Sequence, residues 1–561
     1  MSKKKTLYLK AGSIFSLLAA ACLAGLSQAG AAISDRSSAA TLQSAVKPAA
    51  SVKATVLSPA AVLPPGFDAY VAKVMKTFEV PSLAVAVVKD GQVVLAKGYG
   101  VRMLGEPAPV DAQTLFGIAS NTKAFTATAL GLLVEEGKLE WDAPVIDYLP
   151  WFQMSDPYIT REMTVRDLLV HRSGLGEGAG DLLLWPKTTY TRNEIVRRIR
   201  FLPIAGKFRY GYAYDNILYL VAGEVIHAVS GMPWEDFIAE RILKKAGMAS
   251  SRPRAVSDLA GLNIAAPYTR LESGLAPRPI EENDNMNPAG GILSSAEDMA
   301  RWMLVHLNEG RIADGTRLFS ERTERELTAP VTPITVSSPP AELAAQRMSF
   351  YGYALGFRVN DYRGRRLVGH TGSVNSYFSR LIMVPELELG ITVMTSRESS
   401  QAYNSVVYAV LDQAMGAPPT DWVGAYVKVR DRARAAAAGS VKKAEAKRDA
   451  SLKPSLPLAA YAGAYEDAWY GPIVVALDGA GEAAHLVMSF AKTPGFVGDL
   501  EHWSRETFVV RWRDRGQGAD AYVTFSIDPE GAIVEARMKA VSPDTDTSFD
   551  FQDLRLKPVK K

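Results

Sequence analysis

The spacing of apolar and polar residues in the first 415 positions predicts helices interspersed with antiparallel strands. A helix is expected over 66–78, and the apolar runs Leu83–Val88 and Val93–Tyr99, joined by Asp90-Gly91, predict a hairpin. Capping signatures predict three further helix starts, at Thr164…Asp167, Thr191…Glu194 and Ser295…Asp298. Because helices and antiparallel strands are mixed along this region, the expected fold class is α+β.

The pattern changes after about residue 415. Residues 418–456 contain Pro418-Pro419 and the Ala/Lys/Arg-rich stretch Val429–Lys453, which indicates a helical or loosely ordered linker. Beyond the linker, short apolar runs bounded by turn residues predict a separate small β-barrel over 457–561. These runs are Ile473–Leu477, His485–Phe490, Thr507–Trp512, Ala521–Ser526 and Ile533–Lys539.

Residues 1–31 have the pattern of a secretory signal peptide. Four lysines precede the apolar run Ala11–Leu26, and Ala29-Gly-Ala31 matches a cleavage site, so we expect a periplasmic or secreted protein cleaved near Ala31. The alternative, a lipoprotein signal at Cys22, is less favoured because alanine stands three positions earlier, where leucine is usual. The apolar run is short for a membrane span, so no stable transmembrane span is expected after processing. Residues 32–64, rich in Ala, Ser, Val and Pro, predict a flexible leader.

Length and charge narrow the class of protein further. A chain of 561 residues is too long for one core and predicts two to three domains. Loss of the four signal-peptide lysines takes the formal net charge from +3 to −1, and no basic patch indicates a nucleic-acid partner. Cys22 is the one cysteine and lies in the predicted signal peptide, so no disulfide is expected.

The first chemically informative motif is Ser120-Asn121-Thr122-Lys123. It lies between the extended segment 116–120 and an apolar helix pattern over 124–134. A serine hydroxyl needs a base to become a nucleophile, and three residues of helix place Ser120 and Lys123 on one face. Burial of Lys123 would lower its pKa toward neutrality and make it that base. S-x-x-K occurs five times in the chain, and only here with a buried helix. The alternative is a capping serine with a surface lysine.

The second motif is Tyr214-Asp215-Asn216, which opens the apolar helix pattern Ile217–Val229. A tyrosine and an asparagine two positions apart in a non-helical segment project to the same side. The phenol can relay a proton, and the amide can bind a substrate carbonyl. The alternative is a buried tyrosine with Asn216 as the helix N-cap.

The third motif is His370-Thr371-Gly372-Ser373. It follows the strand-like segment 365–369 and precedes two further strands, predicted over 379–384 and 390–395. A Thr-Gly pair on an exposed edge strand lets a substrate backbone lie alongside, and glycine permits close approach. Taken alone, the histidine would more often be structural.

In this order, S-x-x-K, Y-x-N and H-T-G resemble the motifs of the penicillin-recognising serine hydrolases: class C β-lactamases, D,D-peptidases, D-aminopeptidases and related esterases. The resemblance covers about residues 65–415 and includes the phrases Leu168–Leu175, Ala289–Ser295 and Tyr353–Phe357. It implies a β-lactamase-like domain over 65–417, an antiparallel sheet with helices. Residues 457–561 resemble the lipocalin-like C-terminal domain attached to some members of this group.

The resemblance also implies a role for each motif residue. Ser120 is the expected nucleophile, and Lys123 and Tyr214 are its expected proton-transfer partners. Asn216 and the segment 370–373 (His370, Thr371, Gly372 and Ser373) are the expected substrate-binding residues, with His370 as the edge-strand cation. The backbone N–H groups of Ser120 and Ser373 are the expected oxyanion hole. No cofactor and no metal are expected, since no histidine shows metal-ligand spacing such as H-E-x-x-H.

One variation bears on the substrate. Many β-lactamases carry lysine where this chain has His370, and an ordinary histidine is charged only below about pH 6.5. H-T-G resembles the peptidase and D-aminopeptidase members more. The expected function is therefore a secreted serine hydrolase that acts through an acyl-enzyme on small-molecule or peptide substrates, D-amino-acid-containing peptides or β-lactams. A carboxylesterase and a non-turnover penicillin or peptidoglycan sensor are the alternatives, and the oligomeric state stays open.

Overall fold

The computed structural model describes residues 62–254 and 261–559. The predicted signal peptide (1–31) and leader up to residue 61 lie outside the described residues. The described helices are α1 (Phe67–Phe78), α2 (Thr122–Glu135), α3 (Val145–Tyr148), α4 (Pro157–Glu162), α5 (Arg192–Arg198), α6 (Ile217–Ser230), α7 (Trp234–Ile238), α8 (Asn287–Gly290), α9 (Ala296–Leu307), α10 (Glu321–Thr328), α11 (Ser400–Ala414) and α12 (Trp422–Ala446).

Twenty strands accompany them within the same ranges. They are β1 (Ser82–Lys89), β2 (Gln92–Gly100), β3 (Phe116–Gly117), β4 (Tyr268–Leu271), β5 (Gly274–Pro277), β6 (Leu293–Ser294), β7 (Thr332–Pro333), β8 (Tyr351–Tyr353), β9 (Arg358–Tyr362), β10 (Arg365–Val374), β11 (Tyr377–Val384), β12 (Leu389–Thr395), β13 (Gly463–Asp467), β14 (Gly471–Asp478), β15 (His485–Phe490), β16 (Val497–Ser504), β17 (Thr507–Trp512), β18 (Ala521–Ile527), β19 (Ile533–Ala540) and β20 (Lys557–Pro558).

The first half of the molecule is organised by an eight-stranded antiparallel sheet in the order β2-β1-β12-β11-β10-β9-β8-β7. The predicted hairpin is its β1–β2 pair. Leu83, Val85 and Val87 face a core that contains residues of α1, α11 and α12. Ala84 and Ala86 face the opposite core, with α2, α6 and α9. Because helices cover both faces of the sheet, β1 is apolar at nearly every position. The α+β class is confirmed.

The predicted C-terminal barrel is confirmed as a nearly closed, eight-stranded antiparallel barrel in the order β19-β18-β17-β16-β15-β14-β13-β20. A bridge between Ala536 and Leu556 joins its two ends. Inward and outward residues alternate, as in β14, where Ile473 and Val475 are buried and Val474 is exposed. The sequence did not reveal β13 and β16, whose outward positions are polar and whose apolar residues are too few to stand out.

Two of the three helix starts predicted from capping signatures are present in the structure. Thr191 forms the predicted capping box with Glu194 at the start of α5, and Ser295 caps α9. Thr164 and Asp167 also exchange hydrogen bonds, but they introduce only a short 3₁₀ turn over Arg166–Leu169. The helix expected at Thr164 is therefore wrong. His171, at φ 54°, lies just beyond this turn, in a conformation that no helix continues.

The described residues belong to one compact unit, within which the barrel packs against the sheet region. The Tyr190 hydroxyl donates to the carbonyl of Tyr470 at 2.6 Å, and Arg198 donates to the carbonyl of Trp469 at 3.0 Å. Of the helices described, none is by itself long and apolar enough to cross a membrane. One bent pair, Ile217–Ser230 with Trp234–Leu243, meets the length and composition criteria, with a 76° bend between its members.

Candidate active site

Ser120 lies in a tight turn between β3 and α2. The strand predicted over 116–120 covers only Phe116–Gly117, and a 3₁₀ turn over Ala119–Asn121 leads into the helix. Ala119 has φ 49°, a left-handed conformation that is uncommon for alanine. Asn121 donates to Ser379 Oγ at 2.8 Å, and Ser379 donates to the carbonyl of Ile118 at 2.7 Å. The turn is thus held against β11 from both of its ends.

Lys123 is fully buried on the first turn of α2, a helix whose residues 122–133 are all buried. Its Nζ donates to Ser120 Oγ at 3.1 Å, to Asn216 Oδ1 at 2.7 Å and to the carbonyl of Ala289 at 3.0 Å. Burial lowers its pKa to about 7, although the nearby Asp181 and Asp215 act in the opposite direction. The predicted fall of this pKa is confirmed, and the alternative of a surface lysine is wrong.

Tyr214 and Asn216 approach the same point from the start of α6. The Tyr214 hydroxyl donates to Ser120 Oγ at 2.7 Å, and burial raises its pKa, which keeps the phenol protonated at neutral pH. Asn216 occupies the N-cap position of α6, as the alternative expected, but its side chain makes no capping hydrogen bond. Its Nδ2 donates instead to Asp181 Oδ2 at 2.8 Å. The first two sequence motifs therefore meet at the Ser120 hydroxyl, which contacts both Lys123 and Tyr214.

The third motif lies at the end of β10, and β10 is an edge strand only over that part of its length. β9 pairs with β10 only as far as Gly369, so residues 370–374 have β11 on one side and a free edge on the other. A Cβ at Gly372 would lie 2.2 Å from the carbonyl oxygen of Ile118 and 3.0 Å from Ala119 Cβ. Gly372 thus brings the strand against the Ser120 turn, a contact within the protein that the sequence did not reveal.

His370 differs from its expected role as a cation. It is 3% exposed, and its Nδ1 donates to the carbonyl of Thr371 at 2.5 Å while the Tyr353 hydroxyl donates to Nε2 at 2.8 Å. Burial, and then the charges of Arg358 and Lys123, hold its pKa well below 6.5. This environment disfavours the imidazolium, so it does not support the expected role of His370 as the edge-strand cation.

Arg358, on β9, is a cation of the site that the sequence did not single out. Its guanidinium donates to the Tyr351 hydroxyl at 2.6 Å, and its Nε is buried without a hydrogen-bond partner. No carboxylate among the described residues forms an ion pair with it. It directly follows the phrase Tyr353–Phe357, but an arginine on a strand carries no signal of its own in sequence.

Asp181 is the second residue that the sequence missed. It is 2% exposed, and burial raises its pKa to about 7. Its Oδ2 accepts hydrogen bonds from Asn216 and, at 2.9 Å, from Ser548 Oγ of the barrel, while its Oδ1 has no partner. Asp181 lies 58 residues from Lys123 in the chain and belongs to none of the three motifs, so only the fold brings the two together.

These side chains line a cavity of about 530 Å³. The sheet region contributes Ser120, Tyr214, Asn216, Arg358 and residues 370–376, and the barrel contributes residues 515–518, Asp544 and residues 546–549. A serine hydroxyl that lines such a cavity between an amine and a phenol can be activated as a nucleophile. Within residues 62–254 and 261–559, no three or more His, Cys, Asp and Glu side chains are grouped to hold a metal ion.

Comparisons with known proteins identify relatives of both parts of the chain. A family model described as Beta-lactamase matches residues 67–415, and one described as a domain of unknown function (DUF3471) matches residues 447–558. The chain is 28% identical to an unguisins hydrolase of Aspergillus violaceofuscus, over 83% of this chain and 86% of the relative. It is also 28% identical to penicillin-binding protein 4 of Amycolatopsis lactamdurans, over 54% of this chain and 78% of the relative.

Two solved structures show the same fold. The octameric penicillin-binding protein homologue from Pyrococcus abyssi has a TM-score of 0.55 and 22% identity, and covers 87% of this chain and 98% of its own. The D-amino acid amidase from Ochrobactrum anthropi has a TM-score of 0.51 and 22% identity, and covers 62% of this chain and 98% of its own.

Proposed function

The chain belongs to the beta-lactamase family and is a serine hydrolase, and from that premise we propose that it cleaves amide bonds through an acyl-enzyme on Ser120. The observation that carries this proposal is the pair of contacts to Ser120 Oγ, 3.1 Å from Lys123 Nζ and 2.7 Å from the Tyr214 hydroxyl. A buried lysine with a pKa of about 7 is neutral in half of the molecules at that pH, so it can accept the serine proton.

In the proposed reaction, Ser120 Oγ forms a bond to the substrate carbonyl carbon while its proton passes to Lys123. The backbone N–H groups of Ser120 and Ser373 stabilise the oxyanion. Collapse of the tetrahedral intermediate breaks the C–N bond, and the leaving amine receives a proton through Tyr214, which Lys123 then reprotonates. Water then attacks the acyl carbonyl carbon, and the same groups return a proton to Ser120 Oγ. This step releases the acid and restores the serine hydroxyl.

For the substrate we propose D-amino-acid-containing peptides or β-lactams. Arg358 supports substrates with a carboxylate, because it is a permanent cation at the cavity wall without a carboxylate partner of its own. Thr371, Gly372 and Ser373 present a free strand edge along which a substrate backbone fits. The relative named penicillin-binding protein 4 supports β-lactams as one of these classes, and the relative named as an unguisins hydrolase supports hydrolysis as the reaction.

The test is turnover by the purified protein against D-alanyl peptides, D-amino-acid amides, cephalosporins and short acyl esters. The proposal predicts higher kcat/KM for the amides than for the esters. Preference for the esters would make the protein a carboxylesterase. A fluorescent penicillin that labels Ser120 and is not released during a chase would make it a sensor.

We also propose that the protein is secreted, on the evidence of the residue pattern of 1–31. N-terminal sequencing of protein exported by a Gram-negative host should find Ala32 as the first residue. A mature protein that begins with a lipid-modified Cys22 would support the lipoprotein alternative.

A further inference from the structure

A loop of the barrel reaches into the catalytic cavity. The loop 541–550 follows β19, and its buried residue Asp550 accepts hydrogen bonds from the backbone of Gly180 at 2.6 Å and of Leu182 at 3.3 Å. A Cβ at Gly178 would lie 2.4 Å from the carbonyl oxygen of Thr547. The loop is thus packed backbone against backbone on the segment 178–182, and it has a defined position beside the site.

From this position Ser548 reaches Asp181. Its Oγ donates to Asp181 Oδ2 at 2.9 Å, and the same oxygen accepts from Asn216 Nδ2 at 2.8 Å. The amide of Asn216 is thereby oriented, because a carboxylate accepts only from the NH₂ end and leaves Oδ1 toward Lys123 Nζ at 2.7 Å. A chain of hydrogen bonds therefore runs from the barrel, through Asp181 and Asn216, to the two residues of the first motif.

We propose that Ser548 of the barrel is a positioning residue of the catalytic site: it holds Asp181, which orients Asn216 toward Lys123. The inference rests on the proposed function of Ser120 and Lys123 and adds that the barrel completes the site. Ser548 does not touch the nucleophile, so its effect passes through Asp181.

The arrangement has an electrostatic consequence whose sign can be tested. The charged groups around Lys123 are Asp181, Asp215 and Arg358, and those around Asp181 are Lys123, Asp546 and Asp550. Donation from Ser548 favours the ionised form of Asp181, and ionised Asp181 favours the ammonium form of Lys123. Loss of the Ser548 hydroxyl therefore raises the pKa of Asp181 and lowers the pKa of Lys123.

The experiment measures the rate of Ser120 labelling by a fluorophosphonate from about pH 5 to about pH 9, a range that spans the titration of Lys123. Ser548→Ala should label roughly tenfold more slowly on the high-pH plateau, the size of effect given by a lost hydrogen bond to a charged group, and its acid limb should move to lower pH. Ser548→Thr, which keeps the hydroxyl, should restore both. Ser542→Ala, at a half-buried serine of the same loop whose hydroxyl accepts from the backbone N–H of Asp544, is the matched control and should behave as wild type.

Asp181→Asn should resemble Ser548→Ala in plateau rate, and adding Ser548→Ala to it should change the rate little, because both act through one carboxylate. A Ser548→Ala acid limb at higher pH would mean that the loop had merely undocked and let water reach Lys123, and would overturn the inference. An unchanged profile would overturn it as well, while leaving the proposed function intact. A wild-type protein not labelled at Ser120 would overturn the proposed function and this inference with it.

Discussion

At the scale of single residues, Lys123 determines how the activity of the site depends on pH. Its folded pKa of about 7 is set first by burial, so the neutral amine predominates above pH 7 and the ammonium below it. For an uncharged substrate, kcat/KM should therefore rise about tenfold per pH unit up to about pH 7 and then level off. A pH–rate profile of an amide and an ester without ionisable groups measures this.

Lys123→Arg is the informative companion variant, because arginine keeps its charge and cannot accept the serine proton. Turnover should fall by roughly two to four orders of magnitude, the usual contribution of a general base. Circular dichroism should show that the variant is folded. A flat wild-type profile from about pH 5 to pH 8, or an arginine variant as active as wild type, would make Lys123 a structural residue.

Arg358, rather than His370, should set the preference for carboxylate-bearing substrates. The measured quantity is kcat/KM for a D-alanyl acid divided by kcat/KM for the matching amide. Arg358→Gln should lower this ratio by roughly tenfold or more, since a charge-assisted pair is lost. The ratio removes the effect that this charge also has on the pKa of Lys123. Arg358→Lys should keep part of the preference, because it keeps the charge.

In the wild type the same ratio should change little from about pH 5 to about pH 8, because arginine does not titrate there. An ordinary histidine would titrate within that range. A ratio that fell as the pH rose through about 6.5 would return carboxylate recognition to His370 and contradict the neutral state that its burial imposes.

At the scale of elements, the fit between β10 and the Ser120 turn should be sensitive to one methyl group. Gly372→Ala would place a Cβ 2.2 Å from the carbonyl oxygen of Ile118, so strand and turn must separate. We expect a loss of about 1–3 kcal/mol in the free energy of unfolding, as for other overpacked sites. The rate of Ser120 labelling should also fall at least tenfold, because the turn carries the nucleophile.

Gly439→Ala on α12 is the matched control for this strand variant. A Cβ there meets nothing within 4 Å, and alanine is the better helix former, so stability should stay equal or rise by up to about 1 kcal/mol. Denaturant titration gives both values. A Gly372→Ala protein as stable and as reactive as wild type would show that close contact between β10 and the turn is not required.

Local signals account for the elements that the sequence predicted well. α2 and α6 carry long apolar runs with glycines just beyond their ends, and β1 and β2 are joined by a two-residue turn, so short-range chemistry defines them. The free edge of β10 depends instead on where β9 stops pairing, and the state of His370 depends on neighbours from other elements. Asp181 and Arg358 were missed for the same reason: tertiary packing alone brings them to Ser120.

At the scale of the whole molecule, the sheet region and the barrel should unfold together. Buried apolar residues form one continuous cluster from Ala84 in β1 to Leu556 at the barrel closure. Tyr190, whose hydroxyl donates to the carbonyl of Tyr470, lies between the two parts. Calorimetry should therefore show a single transition, and tryptophan fluorescence should report the same midpoint.

Tyr190→Phe should lower that common midpoint, because a buried carbonyl left without its donor costs about 1–3 kcal/mol. Tyr158→Phe, at a ring that is largely exposed, is the matched control and should leave the midpoint unchanged. Two separate transitions would mean that the barrel is an independent attachment.

The most direct test of the account is the site of covalent modification by a fluorophosphonate, read by intact mass and peptide mapping. Wild type should gain one adduct, on Ser120, and Ser120→Ala should gain none while keeping its fold. Ser373→Ala should still be labelled, because its expected contribution to the oxyanion hole is a backbone N–H that the substitution retains. A Ser120→Ala protein that is modified at the wild-type rate would place the nucleophile elsewhere and contradict the central claim.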